Sequence, residues 1–193
     1  MKKNLGANTL AFPTPVFIVG TYNEDGTPNA MNVAWGGVAA SVPPAVAISI
    51  REERQTYENI KNKGAFTVNI ADEAHLAEAD YFGLVSGSEV SKFDNVDMTA
   101  VKSEFVDAPY IEEFPVAMEC KVMDIREVGG HIHIIGEILN VVADEAVLND
   151  KGIIDVEKVK AIAYDPADNN YTAASKIVGK AFSAGIPLMN KGK

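Results

Sequence analysis

Apolar and polar side chains alternate from Val116 to Val128, the chain turns at Gly129-Gly130, and the alternation resumes through Ile132, Ile134 and Ile138. A period of two sends successive side chains to opposite faces of a strand, and paired glycines enter a tight hairpin turn without strain. The pattern predicts a long antiparallel ribbon as the largest ordered element. A second hairpin is marked by Val16 to Tyr22, the Asp-Gly turn signal in Asn23-Glu24-Asp25-Gly26, and a further strand over 28–35. Ala45 to Ile50, after Pro43-Pro44, and Ala65 to Ile70 read as two more strands.

Helical spacing is confined to short stretches. Gln55 to Lys63 closes at Gly64, a natural C-cap; Glu73 to Phe82 is a second helix, and Asp155 to Ala161 a short third one. Ser86 to Asn95 reads as a polar loop, although Ser86-Gly-Ser-Glu89 matches a capping box, and the tail from Asn170 is irregular. Strands outnumber helices and regular βαβ alternation is absent, which predicts a mainly β (α+β) barrel or sandwich. Length and the lack of repeats predict one domain over 1–193, with a C-terminal tail from about 165 to 193.

Charge narrows the partners. With 17 Lys+Arg against 27 Asp+Glu the formal charge is −10, a field that repels phosphate backbones, so nucleic acid is not an expected partner. The same field repels an anionic cofactor, so any phosphate site must be a local pocket of donors. Cys120 is the only cysteine, which forbids an internal disulfide and fits a reducing compartment; in its alternating run it reads as a buried small hydrophobe. Met1-Lys2-Lys3 and Leu10-Ala11-Phe12 have a trace of a signal peptide's layout, but Asn4, Asn8, Pro13 and Pro15 interrupt it. No apolar run is long enough to span a bilayer, and the expected location is cytoplasmic, without a membrane partner.

Thr27-Pro28-Asn29-Ala30-Met31-Asn32-Val33-Ala34-Trp35 combines two asparagines, small residues and the only tryptophan. Amides that donate and accept, beside a wide apolar indole face, suit a flat heterocycle with polar edges. Arg51, Arg54 and Thr56 lie where a strand meets a helix, a place where free backbone N–H groups favour anions, and Lys92 offers another cation. His131 and His133 share one face of their strand with Glu137. They read either as the start of a metal site, lacking an evident third strong ligand, or as a ligand-facing His131 beside a surface His133. G-x-G-x-x-G, Walker A and G-x-S-x-G signatures are all missing.

Taken in order, these blocks resemble the flavin reductase-like, FMN-binding split-barrel family, and most closely its flavoredoxin branch. The matching blocks are Asn29 to Trp35, Ser49-Ile50-Arg51, Gln55 to Ile60, Gly64 to Ile70, Ser86 to Phe93, and the Gly-Gly hairpin leading to His131. The resemblance runs from about Pro13 to Tyr164 and implies a six-stranded antiparallel Greek-key split β-barrel with flanking helices, working as a homodimer with non-covalent FMN. It assigns Asn29, Met31, Asn32, Val33, Ala34 and Trp35 to the flavin ring and ribityl chain. Ser49, Ile50, Arg51, Thr56, Ser86 and Lys92 fall to the ribityl and phosphate end, and His131 and Tyr164 to the ring edge. The implied activity is an FMN oxidoreductase taking electrons from NAD(P)H or a redox protein, with no catalytic side chain beyond those that hold the flavin. The alternatives are a non-enzymatic FMN-binding electron carrier and, third, a metal-dependent barrel enzyme.

Overall fold

In the computed structural model, which describes residues 1–189, both hairpins belong to one antiparallel sheet. Its strands are β1 (Phe17–Tyr22), β2 (Pro28–Val33), β3 (Gly36–Ser41), β4 (Pro44–Ile50), β5 (Ala65–Ile70), β6 (Val116–Val128) and β7 (His131–Ala143). Their order across the sheet is β2-β1-β5-β6-β7-β4-β3. The long ribbon forms where the alternation placed it. Val128 faces His131 across the two-residue turn, with Gly129 and Gly130 at φ 57° and 77°. The Asp25-Gly26 turn closes the β1–β2 hairpin, with Asp25 Oδ1 accepting from the Thr27 amide at 3.0 Å.

Six of these strands make the barrel that the resemblance implied, and β3 adds a seventh at one edge. Gly36-Gly-Val-Ala-Ala-Ser41 is mostly exposed and carries no apolar alternation, so period-two reasoning has nothing to detect there. The two edges of the sheet, β2 and β3, are consecutive in the chain and joined only by Ala34-Trp35. No ladder closes β2 against β4. The Ser49 amide donates to the Trp35 carbonyl at 2.8 Å, and beyond that link the barrel is split.

Alternation decides which side chains fill the barrel. Val19, Val33, Val46, Ile48, Phe66 and Ile134 point inward, and Ile60 of helix α1 (Gln55–Lys63) plugs the core. The opposite face of β1 and β2, with Ile18 and Ala30, is covered by Ala79 and Phe82 of helix α2 (Leu76–Leu84) and by Ile111. Each fully buried Ile or Phe contributes roughly 1.5–3 kcal/mol over its exposed state. Two-sided burial of β1 therefore anchors the hairpin that carries Asn29 to Val33.

Helix α1 ends at Gly64, whose φ of 63° lets its amide reach the Ile60 carbonyl, as the sequence predicts. Helix α2 starts later than Glu73 because Asp72 accepts from the His75 amide at 3.1 Å and holds residues 73–75 in a turn. The short third helix is Val156–Val159, capped by the Asp155 carboxylate. Ser86-Gly-Ser-Glu89 heads no helix: the Ser86 and Ser88 hydroxyls bond each other at 2.8 Å, and only the 3-10 turn Lys92–Asn95 follows. The tail is not irregular throughout. Asn170–Ala173 pairs with Ile162–Asp165, which pairs in turn with Thr14–Pro15, so a second sheet of three strands packs beside the barrel.

Candidate functional site

Three clefts adjoin along the split. The widest, about 590 Å³, lies between the Ala34-Trp35-Gly36 link, Ala47 to Ser49 of β4, and the extended segment Thr9 to Pro15, with His131 and His133 on its rim. A middle cleft of about 170 Å³ shares Ala34, Trp35, Ser49 and His131 with it, and runs between Met31–Val33 on one bank and Ile50–Arg51 on the other. An inner cleft of about 70 Å³ shares Met31, Asn32 and Arg54 with the middle one and ends among Asn29, Thr56, Ser86, Gly87 and Lys92. The groove passes from an apolar mouth to a polar blind end.

The location follows from the sheet. An open edge leaves backbone N–H and C=O groups without ladder partners. At β2 and its continuation to Trp35 those groups border the groove, so the chain offers main-chain donors and acceptors there as well as side chains. Ile50 and Val33 bury their side chains in the barrel and border the groove with their backbone side. Trp35 is half-buried and borders both the wide and the middle cleft.

The blind end is held by amides and hydroxyls. Asn29, only 2% exposed, donates through Nδ2 to Thr21 Oγ1 at 3.3 Å and to Thr56 Oγ1 at 3.1 Å. Asn59 donates to the same Thr21 hydroxyl at 3.0 Å and to Asn23 Oδ1 at 2.8 Å, and accepts from Gln55 Nε2 at 2.9 Å. This network ties β1, β2 and the first turn of α1 together. One atom of it is left over: Asn29 Oδ1 is buried without a partner among the described residues. A buried acceptor without a donor costs about 1–3 kcal/mol, so this end of the groove is built for a group that donates. Gly87 closes over it so tightly that a Cβ there would lie 2.1 Å from Oδ1.

Electrostatics favour an anion at the same end. No Asp or Glu lines any of the three clefts, although the whole chain carries −10. Arg54 borders the inner and middle clefts and stands at the start of α1, whose N-terminus has no side-chain cap. Lys92 is 4% exposed and donates to the Ala30 and Phe82 carbonyls at 2.8 Å each, leaving its third N–H without an acceptor among the described residues. Burial, with a smaller contribution from the Arg54 charge, pulls its pKa down from 10.5 to about 8. An anion in the inner cleft would offset both causes.

Most residues singled out in the sequence meet here. Asn29, Met31 to Trp35, Ser49 to Arg51, Thr56, Ser86, Lys92 and His131 all line one of the three clefts. Arg51 is exposed and lies 3.7 Å from Glu53, so its charge is partly answered before any ligand arrives. Tyr164 is not among the lining residues. It packs with Tyr171 at 6.1 Å and bonds Asn169 through its hydroxyl, because its strand belongs to the second sheet. Sequence reasoning carried Arg54 no further than the strand–helix junction, placed Gln55 and Gly87 in matching blocks without a role in the site, and gave no role to the Thr9 to Pro15 wall. The uncapped start of α1 was the available signal for Arg54; the wall has none, being irregular chain. Among the described residues no three His, Cys, Asp or Glu side chains gather as a metal site.

A family model described as flavin reductase like domain matches residues 9–160. The flavoredoxin of Desulfovibrio vulgaris (Miyazaki F) is similar at 46% identity and TM-score 0.92, covering 96% of this chain and 100% of that one. A flavoredoxin from Methanosarcina acetivorans has 27% identity and TM-score 0.87, covering 97% and 100%. A ferric-chelate reductase (NAD(P)H) of Archaeoglobus fulgidus is 30% identical over 116 residues, which is 59% of this chain and 64% of that protein. The chain spans from 46% to 89% of the length of other curated relatives that it matches. A split barrel with its groove along the open seam and a family match over most of its length define the class: the chain belongs to the flavin reductase-like family. Within that family it falls in the flavoredoxin branch.

Proposed function

We propose that the groove binds FMN non-covalently and that the protein is an oxidoreductase, passing electrons from NAD(P)H or a redox protein to an acceptor. The observation that carries this reading is the polarity of the groove, an apolar mouth beside Trp35 leading to a carboxylate-free end with Arg54, Lys92 and the start of α1. The buried, unpartnered Asn29 Oδ1 suits a ligand hydroxyl, and FMN has a polyhydroxylated chain between ring and phosphate. Bound FMN would supply the electron-transfer chemistry at its ring. Around it, Lys92 and Arg54 would neutralise the phosphate, Thr56 and Asn29 would orient the chain, and the backbone from Met31 to Ala34 would meet the polar edge of the ring. His131 stands at the junction of the mouth and the middle cleft, where it can donate to or accept from the ring edge.

A homodimer belongs to the same reading. Val38 of β3 and Val42 of the turn that follows it are 83% and 93% exposed, apolar side chains along the sheet edge suited to a second copy. The deciding measurement is a visible spectrum of the purified protein before and after FMN addition, followed by anaerobic titration with NADH and NADPH. Flavin absorbance that stays with the protein supports binding. A protein that remains colourless after FMN addition sinks the proposal. Bound flavin that neither nicotinamide reduces, but a redox protein does, selects the carrier.

A further inference from the structure

Asn32 borders the inner and middle clefts, and the state of its amide is decided behind the groove wall. Its Nδ2 donates to the Ala79 carbonyl at 2.9 Å and to Tyr171 Oη at 3.3 Å. Tyr171 Oη bonds Asp80 Oδ1 at 2.7 Å. A carboxylate only accepts, so the single phenol proton points at Asp80 and the oxygen lone pair is left for Asn32. Ala79 also presents an acceptor. Both neighbours of the Asn32 amide thus demand its NH₂, and the usual ambiguity between the two amide orientations disappears.

We infer that Asp80 and Tyr171 are positioning residues that lock Asn32 with its Oδ1 toward the groove, making it an obligatory acceptor for an O–H or N–H of the bound molecule. Among the described residues Asn32 Oδ1 has no hydrogen-bond partner, and it is not a sealed-off atom. Burial and the Asp80 carboxylate raise the Tyr171 pKa, so the phenol keeps its proton and the polarity of the relay holds across ordinary pH. Tyr171 lies in Asn170–Ala173, beyond the residues 9–160 that the family model covers. The second sheet thereby acquires a role: it brings a tail residue against α2 and β2. The inference rests on the FMN reading for the identity of the ligand, whose matching donors are the ribityl hydroxyls and the imide N–H of the ring.

The test compares wild type, Tyr171→Phe, Asn32→Ala and the double variant, each titrated with FMN and with lumiflavin, which has the ring but no ribityl chain. Tyr171→Phe keeps the ring packed on Tyr164 and is expected to weaken FMN binding about three- to tenfold, the worth of one oriented hydrogen bond. In the Asn32→Ala background the same substitution is expected to change affinity by less than about twofold. Loss for FMN alone identifies a ribityl hydroxyl as the donor, and loss for both flavins identifies the imide; either supports the relay. Equal FMN affinity in wild type and Tyr171→Phe overturns it, as does an undiminished Tyr171→Phe effect without Asn32. Side-chain amide NMR of the ligand-free protein gives a second readout, since the Asn32 NH₂ resonances must move in Tyr171→Phe, and unmoved resonances also overturn the relay. A wild-type chain that binds no FMN, with the Asn32 resonances moving as expected, defeats the FMN reading and leaves the relay standing.

Discussion

Asn29 Nδ2 bonds Thr56 Oγ1 at 3.1 Å, joining β2 to the first turn of α1, while the other half of the same amide faces Gly87 without a donor. The bond fixes the side chain from behind, so the oxygen that Gly87 covers in the ligand-free fold is already oriented, and a donor that displaces Gly87 meets it without further loss of side-chain freedom. Asn29→Ala removes the acceptor and, with it, a buried unsatisfied atom. The expected result is FMN affinity reduced roughly five- to tenfold, about 1–1.5 kcal/mol, with a smaller change in the stability of the ligand-free protein. Flavin-fluorescence titration and denaturant melts check the two halves separately. Thr56→Val should destabilise the ligand-free fold by about 1–3 kcal/mol because it strands the Asn29 donor.

Lys92 makes binding and stability respond to alkaline pH in opposite directions. Its pKa in the fold is about 8, below the 10.5 of an exposed lysine. Below about 8 the ammonium is charged in both states and its burial opposes folding. Between about 8 and 10.5 the unfolded chain holds a proton that the folded one has released, so this group makes stability rise with pH across that window. Phosphate binding needs the charge and is expected to weaken as pH passes about 8. FMN titrations and urea melts at a series of pH values, with Lys92→Met as the reference, separate this group from the tyrosines. A wild-type profile parallel to that of Lys92→Met would contradict the assignment.

How much of this was legible beforehand depended on whether a feature lives in local pattern or in long-range packing. Gln55–Lys63, Ala65–Ile70 and Val116–Val128 emerge with the bounds their periodicity set, because caps, turns and alternation are local signals. Gly36–Ser41 and Asn170–Ala173 were not legible, since edge strands with mostly exposed side chains leave no alternation to read. The groove residues were visible as an ordered set of blocks. That Lys92 would be buried on two carbonyls, that Tyr164 would turn to the second sheet, and that Tyr171 would reach Asn32 all depend on contacts between distant segments.

Cys120 is fully buried against the barrel core, and burial, reinforced by the neighbouring Glu119 charge, pushes its thiol pKa up to about 12. The thiolate is the reactive form, so the native protein should resist thiol reagents at pH 8. Labelling is expected only when the barrel opens, with a rate that follows global unfolding as denaturant is added. Rapid labelling of the native protein would show that the β5–β6 region opens locally. Cys120→Ala should leave FMN affinity unchanged, since this side chain lines none of the three clefts.

Trp35 offers a direct view of the groove because it is the only tryptophan and borders the wide and middle clefts together. A flavin seated between Trp35 and His131 would absorb at the wavelengths where the indole emits, so binding should quench most of the protein's tryptophan fluorescence in a saturable way. The quenching curve should give the same dissociation constant as flavin fluorescence. Trp35→Phe keeps an aromatic face and should cost about 1 kcal/mol of FMN affinity or less, whereas Trp35→Ala removes the wall and should cost about 1–3 kcal/mol. FMN binding that leaves the indole emission untouched would place the ring away from the split, in conflict with the groove's polarity.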